Sequence, residues 1–528
     1  VLRHLNASEA DAQLYGHLAT SLIYGNALRR AAPSVIARNR LGQSGLWRFG
    51  ISGDLPILLL YIGDLSRIDL VKQILQAHTY WRMKGLKTDL LIINDDFSGY
   101  RAVLQDRIMG LINAGPEAQD LDMPGGVFVR RAEELTEEDR VLFQTVARVV
   151  LNDSADTLIE QVERRVASER LPGRLIPAQQ PATEAIQPLA ARERIFCNGL
   201  GGFTSDGHEY VVTLEPGQST PAPWVNVIAS PHIGTVVSES GSAYTWVENA
   251  HEFRLTTWHN DPLSDSSGEA FYIRDEDTGV FWSPTPLPAL ISAGDQSGDV
   301  CRHGFGYSVF EHYQAGIACE MNTYVAMDAP VKFVVLKLRN HSGRRRRLSL
   351  TGYWELVLGE WRHANQMHTV TETDPHSGAI FAHNAYSREC ANRVVFAQVS
   401  EAERSVTGNR TEFIGRNGSL ANPTALGRKR LSGKTGAGLD PCVAIQTPII
   451  LADGQEHEIV FIFGAAHSID EAQYFIQRFS GPAGARQALE TVWGYWNHTL
   501  GAVHVETPDP ALNVLTNGWL IYQTLSCR

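Results

Sequence analysis

Apolar and polar positions follow two different patterns along the chain, and the first pattern covers about 165 residues. Helical periodicity over 11–30, 70–85, 99–114 and 137–151 predicts four helices. Short apolar runs at 89–94 and 126–130 predict buried strands between them. Helices that alternate with fully apolar strands are typical of an α/β layer. We therefore expect residues 1–170 to form a helical and small α/β region.

A second pattern begins after residues 171–193, which are rich in Pro, Ala and Gln and are typical of a linker. From 194 to 470 the chain consists of short alternating stretches rich in Thr, Val, Tyr and Trp, separated by turn residues. Clear examples are 209–214, 331–338 and 348–356. This pattern predicts a large antiparallel β-sandwich. Helices are predicted again at 469–479 and 485–500.

The C-terminal segment, residues 471–528, is predicted to hold linker helices and one further helix that begins at 508–510. An apolar stripe runs along that last helix and comprises Leu512, Leu515, Trp519 and Tyr522. No helix-ending Gly, Asn or Pro follows before residue 528, and the chain opens on Val1 rather than Met. An apolar helix face needs a surface to pack on. We therefore expect the chain to be a fragment of a larger protein.

Composition narrows the possible classes of function. The 528 residues include 46 Lys and Arg against 58 Asp and Glu, a net charge of −12, which argues against a nucleic-acid-binding protein. The densest basic run, 344–347, is expected to be a solvated turn. The longest apolar run, 55–62, is far shorter than the roughly 20 residues of a membrane span. Six scattered cysteines without a C-x-x-C pair favour a reducing, cytoplasmic setting.

Side chains that suit sugar recognition are densest between Tyr244 and Asp261. Asn, Asp, Glu, His and Arg can pair with sugar hydroxyl groups, and Trp and Tyr can stack on sugar C–H faces. The structural alternative is a strand pair with a Trp in the core and polar residues that cap loops. The glycine-rich loop 198–203 also has two interpretations, a ligand cradle or a tight entry into a sheet. His363, His368 and His376 lack a metal-binding spacing, so we expect no metal site.

Several longer motifs resemble one known family. They are FCNGLGGFTSDGHEY (196–210), TPAPWVN (220–226), WVENAHEFRL (246–255) and WSPTPL (282–287), with further similar segments at 37–47, 50–57 and 78–86. Together they resemble the C-terminal, phosphorylase-like half of cyclic β-1,2-glucan synthases. That half is a member of glycoside hydrolase family 94, formerly glycosyltransferase family 36. The resemblance covers essentially the whole chain.

The resemblance implies a β-sandwich that linker helices join to an (α/α)6 barrel, which carries the chemistry in that family. It implies a glycosyltransferase or phosphorylase acting on β-1,2-glucan, with inorganic phosphate as co-substrate of a phosphorylase and no other cofactor. One carboxylic acid protonates the leaving oxygen in such a reaction. The family's general-acid Asp lies in a motif beyond residue 528. We therefore assign no catalytic residue and expect this chain alone to be inactive.

The resemblance also implies partners and a place for the binding residues. Sandwich domains of the family contribute to the rim of the substrate cleft and to dimer contacts. Candidate cleft or interface residues are Trp246, Asn249, His251, Arg254, Trp258 and Asn260. Expected partners are a β-glucan oligosaccharide, the barrel of the same polypeptide and a second copy, at the cytoplasmic face of a bacterial inner membrane. The competing hypothesis is a stand-alone, non-catalytic carbohydrate-binding module.

Overall fold

A computed structural model describes residues 1–5, 7–96, 103–154, 157–163, 171–179, 189, 192–289, 296–388 and 390–528. Within these ranges the chain forms an α/β unit with a parallel sheet, an antiparallel two-sheet sandwich and a C-terminal group of helices. The expected fold class, a small α/β region followed by a large antiparallel sandwich, is therefore confirmed.

Four parallel strands form the sheet of the α/β unit, in the order β3-β2-β1-β4. They are β1 (Ile57–Ile62), β2 (Asp89–Asn94), β3 (Val127–Arg131) and β4 (Ala147–Asn152). The helices are α1 (Leu2–Leu5), α2 (Glu9–Tyr24), α3 (Pro33–Ile36), α4 (Ser44–Trp47), α5 (Ile68–Met83), α6 (Val103–Ala114), α7 (Glu137–Val146) and α8 (Leu158–Glu163). Alternate residues of β1 pack into two apolar clusters, so both faces of the sheet are covered.

Two predicted helices of this unit have the wrong extent. The predicted helix 137–151 ends at Val146, and Ala147–Asn152 is strand β4, where Val149 pairs with Leu58 of β1. The predicted helix 11–30 ends at Tyr24, because Gly25 leaves the helical conformation with φ +70°. Residues 97–102, at the start of the predicted helix 99–114, lie outside the described residues.

Two antiparallel sheets form the sandwich. Its first strands are β5 (Gly201–Phe203), β6 (Glu209–Leu214), β7 (Val225–Ala229), β8 (Ile233–Ser238), β9 (Ala243–Val247), β10 (Arg254–Thr256), β11 (Glu269–Asp275), β12 (Phe281–Trp282), β13 (Gln296–Gly304) and β14 (Tyr307–Gln314). The later elements are β15 (Ile317–Val325), β16 (Val331–Asn340), β17 (Arg346–Gly359), α9 (Arg362–Asn365), β18 (Val370–Thr373), β19 (Ile380–His383), β20 (Val394–Val399), β21 (Ser405–Asn409), α10 (Arg410–Ile414), β22 (Pro441–Leu451) and β23 (Glu456–Ala466).

In the described residues one sheet has the order β18-β19-β20-β23-β16-β15-β14-β13-β6-β5, and the other runs β12-β11-β17-β10-β9-β8-β7, with β22 and β21 joined at β17. The main apolar core lies between them and includes Trp354 of β17, which stacks on Phe463 of β23 with ring centroids 5.3 Å apart. A buried ion pair crosses the same space, where Lys332 Nζ donates to Glu269 Oε2 at 2.7 Å. The two sheets are thus joined by apolar packing and by a charged contact.

The expectation that 344–347 is a solvated turn is wrong for its third residue. Arg346 begins β17 and is buried, and its Nη2 donates to Asp275 Oδ2 of β11 at 2.6 Å. Arg347 follows on the opposite face of the strand and pairs with Asp277. Strand alternation therefore turns one arginine of the run into the interior.

The C-terminal helices pack against the sheet that contains β16. They are α11 (Ile469–Phe479), α12 (Gly481–Leu500), α13 (Pro510–Val514) and α14 (Leu520–Ser526), with a π-helical turn at Leu515–Trp519. Trp519 and Tyr522 are buried against Phe305 and Trp496. The expectation that the terminal apolar stripe lacks a covering surface is therefore wrong for these two residues, whereas Leu512 and Leu515 are 43% and 38% exposed.

Residues 171–179, the longest described stretch of the predicted linker, lie against the sandwich. Leu175 N donates to Gly427 O at 3.0 Å and Ala178 N donates to Asp277 O at 2.7 Å. No disulfide joins the six cysteines, all of which fall in the described ranges. Within those ranges, no helix combines the length and the apolarity that crossing a membrane requires.

Candidate functional site

Three aromatic rings stand in a row on the sheet that contains β9. Tyr244 and Trp246 are two positions apart on β9 and so share one face, with ring centroids 5.2 Å apart. On its other side Tyr244 stacks on Trp258 at 5.1 Å, with the ring planes inclined by 19°. The indole of Trp246 covers Gly234 of the neighbouring strand, where a Cβ atom would lie 2.2 Å from the ring. The glycine therefore lets the indole lie flat on the sheet.

A buried arginine extends this row to a second exposed indole. The guanidinium carbon of Arg254 lies 5.6 Å from the ring centroid of Trp258 and 5.7 Å from that of Trp361. Its Nε donates to Ala250 O at 3.1 Å and its Nη1 donates to Glu360 O at 3.3 Å, so its position is fixed. Trp258 and Trp361 are 42% and 50% exposed. We call Tyr244, Trp246, Trp258, Arg254 and Trp361 the aromatic row.

Trp361 is the residue of this row that the sequence did not identify. It follows β17, and it reaches the row because Arg254 of β10 pairs with Gly359 of β17. That pairing joins positions more than a hundred residues apart, so no local spacing reports it. A Trp just after a long predicted strand was the only local signal.

Asn249 and His251 lie in the turn between β9 and β10, beside the row. The Asn249 side-chain oxygen accepts hydrogen bonds from the backbone amides of His251 and Glu252, at 2.8 and 3.0 Å. Asn249 therefore has the loop-capping role of the structural alternative. His251 lies 2.9 Å from Glu252 Oε1 through Nδ1 and 3.1 Å from Glu360 Oε1 through Nε2.

His251, Glu252 and Glu360 are also the group that could hold a metal ion, since one ligand atom from each lies within 4.8 Å of the others. All three side chains are at least one-third exposed, and both imidazole nitrogens already face a carboxylate. Without a cation these contacts connect the β9–β10 turn to the segment that carries Trp361.

Two cavities flank Tyr244. One, of about 280 Å³, is lined by Trp258, Asn260 and Asp261. The other, of about 680 Å³, is lined by Trp246 and Asn249 and, from the C-terminal helices, by Tyr495. The structure thus brings all six predicted residues to one region: Trp246 and Asn249 at one cavity, Trp258 and Asn260 at the other, and Arg254 and His251 along the edge that leads to Trp361.

The base of the row is held by the buried Lys332–Glu269 pair. Glu269 Oε1 accepts hydrogen bonds from the hydroxyls of Thr245 on β9 and Thr256 on β10, at 2.5 and 2.9 Å. Lys332 Nζ donates to Thr235 of β8 at 2.9 Å. Burial raises the pKa of Tyr244, which stays a neutral stacking ring. The arrangement offers flat apolar faces and fixed donors, a combination that suits sugars.

Comparison with known proteins identifies the family of the sandwich. Residues 208–482 match the family model described as glycosyl hydrolase 94, supersandwich domain. The chain is 32% identical over 548 aligned residues to the cyclic beta-(1,2)-glucan synthase NdvB of Rhizobium meliloti (strain 1021), covering 100% of this chain and 19% of that protein. The resemblance inferred from the sequence motifs is therefore confirmed.

Similarity extends to phosphorylases. The chain is 24% identical to N,N'-diacetylchitobiose phosphorylase of Vibrio furnissii, over 62% of this chain and 41% of that protein. It is 26% identical to solabiose phosphorylase of Paenibacillus borealis, over 62% of this chain and 43% of that protein. The chain thus spans less than half the length of each relative. Through its supersandwich domain, this chain belongs to glycosyl hydrolase family 94.

Proposed function

We propose that this chain is the supersandwich part of an enzyme that processes β-1,2-glucan, and that its aromatic row contacts the sugar chain. The observation that carries the proposal is the pair of exposed indoles, Trp258 and Trp361, which Arg254 bridges. Their faces can stack on pyranose rings, while Arg254 keeps N–H donors beyond its two backbone contacts. The glucan class is favoured by the similarity to the glucan synthase over the whole chain.

Chemistry in this proposal belongs to a catalytic (α/α)6 barrel elsewhere in the polypeptide. The sandwich supports that barrel and forms one side of its cleft, and the general-acid Asp lies outside these 528 residues. The relatives are two to five times longer than the aligned segment, which is consistent with a further domain. Exposed apolar side chains on the C-terminal helices, Tyr495, Leu512, Leu515, Leu520 and Leu525, offer a surface for it.

Three further parts of the proposal rest on the family alone. Inorganic phosphate would act as co-substrate if the enzyme is a phosphorylase, a second copy would contact the sandwich, and the protein would work at the cytoplasmic face of a bacterial inner membrane.

Phosphorolysis of linear β-1,2-glucan tests the proposal. The chain alone should release no glucose 1-phosphate, and a longer version that includes the downstream domain should release it. Release of glucose 1-phosphate by the chain alone would contradict the assignment of catalysis to another domain. If the longer version released none from this glucan, the assigned substrate would be wrong.

A titration of the chain with the same glucan separates the proposal from the carbohydrate-binding-module hypothesis. A row that forms only one side of a cleft should bind in the millimolar range, because the ligand's other face stays in water. Submillimolar binding by the chain alone would favour the stand-alone module.

A further inference from the structure

A third cavity, of about 460 Å³, opens next to the aromatic row. We propose that it binds one neutral pyranose unit at the end of a glucan chain that lies on Trp258. The proposal rests on the proposed function and adds a site that holds the terminal sugar of a bound glucan chain. The volume lies in the roughly 300–1,000 Å³ range of small-molecule sites.

The walls of this cavity, which we call the end pocket, are held in place by the protein itself. One wall is the loop 261–267, where the Asp265 carboxylate accepts hydrogen bonds from the hydroxyls of Ser238, at 2.7 Å, and of Ser240. Another wall is the segment 419–421, where the buried Tyr272 hydroxyl donates to Leu420 O at 2.8 Å. Because both walls are fixed without a ligand, binding costs little ordering of the protein.

The floor of the end pocket contains a carboxylate and a guanidinium that neutralise each other. Arg410 Nε donates to Glu355 Oε2 at 2.7 Å, and Arg362 Nε lies 3.1 Å from Glu355 Oε1. Asp440 pairs with both arginines, so two acids and two bases form a closed set. Such a floor has no net positive charge to attract phosphate, and its charged hydrogen-bonding groups can meet the hydroxyls of a neutral sugar.

Hydroxyl groups line the rest of the end pocket. Ser264, Ser266 and Ser419 each provide a group that can donate and accept, and Leu287 and Pro288 provide an apolar side. A pyranose presents the same mixture, with hydroxyls around its edge and C–H groups on its faces.

The end pocket continues into the cavity lined by Trp258. Both cavities are bordered by Ser242, Asp265 and Ser266. A sugar stacked on Trp258 can therefore have its neighbour in the end pocket, with the loop 261–267 beside the linkage between them.

Two substitutions at the lip of the end pocket test the proposal. Ala421→Trp fills the cavity from an exposed lining position without touching the four-residue charge network, and Asn422→Trp places the same indole one residue outside the lining. Calorimetric titration with the β-1,2-linked glucose disaccharide should show at least tenfold weaker binding for Ala421→Trp. Binding by Asn422→Trp should stay within twofold of the unchanged chain. Ser419→Trp, from the same wall, provides a second blocking variant.

The outcomes separate the end pocket from the proposed function. Unchanged binding by both blocking variants, with binding lost in Trp258→Ala, overturns the end pocket and leaves the aromatic row intact. A β-1,4-linked glucose disaccharide provides a further comparison. If it binds as tightly as the β-1,2-linked one and Ala421→Trp blocks its binding, the end pocket is supported and the β-1,2-glucan assignment is contradicted. Inorganic phosphate that binds the chain and displaces the disaccharide would overturn the inference of a neutral ligand.

Discussion

The hydroxyl of Tyr522 donates a hydrogen bond of 2.8 Å to Oδ1 of Asn226, although 296 residues separate them. Asn226 is buried in β7, and its Nδ2 donates to Gly304 O and Tyr307 O at 3.0 and 2.9 Å. The last helix is therefore joined to the sandwich by a buried amide that also fixes the β13–β14 turn. The relationship explains why half of the terminal apolar stripe is covered.

Replacing Tyr522 with Phe should lower the free energy of unfolding by about 1–2 kcal/mol, because the Asn226 oxygen loses its side-chain donor in a buried place. Urea unfolding followed by circular dichroism measures this change. Tyr495→Phe, at an exposed ring on α12, is the matched control and should change stability by less than about 0.5 kcal/mol. Equal effects of the two substitutions would show that the hydrogen bond does not stabilise the junction.

Replacing Lys332 with Met should destabilise the sandwich by about 3–5 kcal/mol, because Glu269 would remain buried without its cation. The double variant Lys332→Met/Glu269→Gln removes both charges, and we expect it to recover part of the loss. Denaturant midpoints of the three proteins supply the measurement. A double variant less stable than Lys332→Met would contradict the account of an uncompensated buried charge.

Acidification should destabilise the sandwich partly through His303. Burial lowers the pKa of His303 to about 4, and the carbonyl of Trp224, 3.0 Å from Nε2, only partly offsets this. The unfolded chain binds a proton near pH 6.5, so between pH 6.5 and 4 it carries more protons than the folded chain. The contribution of neutral His303 to the free energy of unfolding is thus complete above pH 6.5 and is lost as the pH falls towards 4.

The contribution of His303 to this loss is on the order of 3 kcal/mol. His303→Gln should flatten the pH dependence of the unfolding free energy between pH 7 and 4.5, because Gln can still hydrogen-bond Ser308 but does not titrate. His232→Gln, at an exposed position, serves as the control. If His303→Gln leaves the pH dependence of the unfolding free energy unchanged, other groups cause the acid sensitivity.

Substituting the two exposed indoles should weaken glucan binding by the chain. We expect Trp258→Ala and Trp361→Ala each to raise the dissociation constant three- to tenfold, which corresponds to roughly 1 kcal/mol per lost stacking contact. Calorimetric titration with linear β-1,2-glucan gives the values. Trp47→Ala removes an equally exposed indole from the α/β unit and should have no effect; a comparable effect there would mean that the aromatic row is not the sugar surface.

Sequence patterns predicted the elements whose signals are local. Helix Ile469–Phe479 and strand Asp89–Asn94 have the predicted bounds, because amphipathic periodicity and turn residues mark their ends. Strands β1 and β4 were missed. Periodicity alone does not distinguish a short apolar run such as 55–62 from a buried helical segment, and the run 147–152 joins the preceding helical pattern.

The sequence predicted only those site residues that lie in one continuous segment. All six candidates fall within 246–260, so their proximity follows from chain continuity. Trp361 comes from another segment, through the pairing of β10 with β17, and Arg346 finds Asp275 through the pairing of β17 with β11. The sequence alone predicts neither contact, because only the sheet register determines which long-range partners these residues meet.

The most direct test of the central claim is the steady-state kinetics, on linear β-1,2-glucan with phosphate, of a version of the chain extended through the proposed catalytic domain. If the aromatic row holds the sugar chain while another domain carries out the reaction, Trp258→Ala/Trp361→Ala should raise KM at least tenfold and leave kcat within twofold. A variant that keeps the parent KM, or that loses kcat at an unchanged KM, would contradict the account.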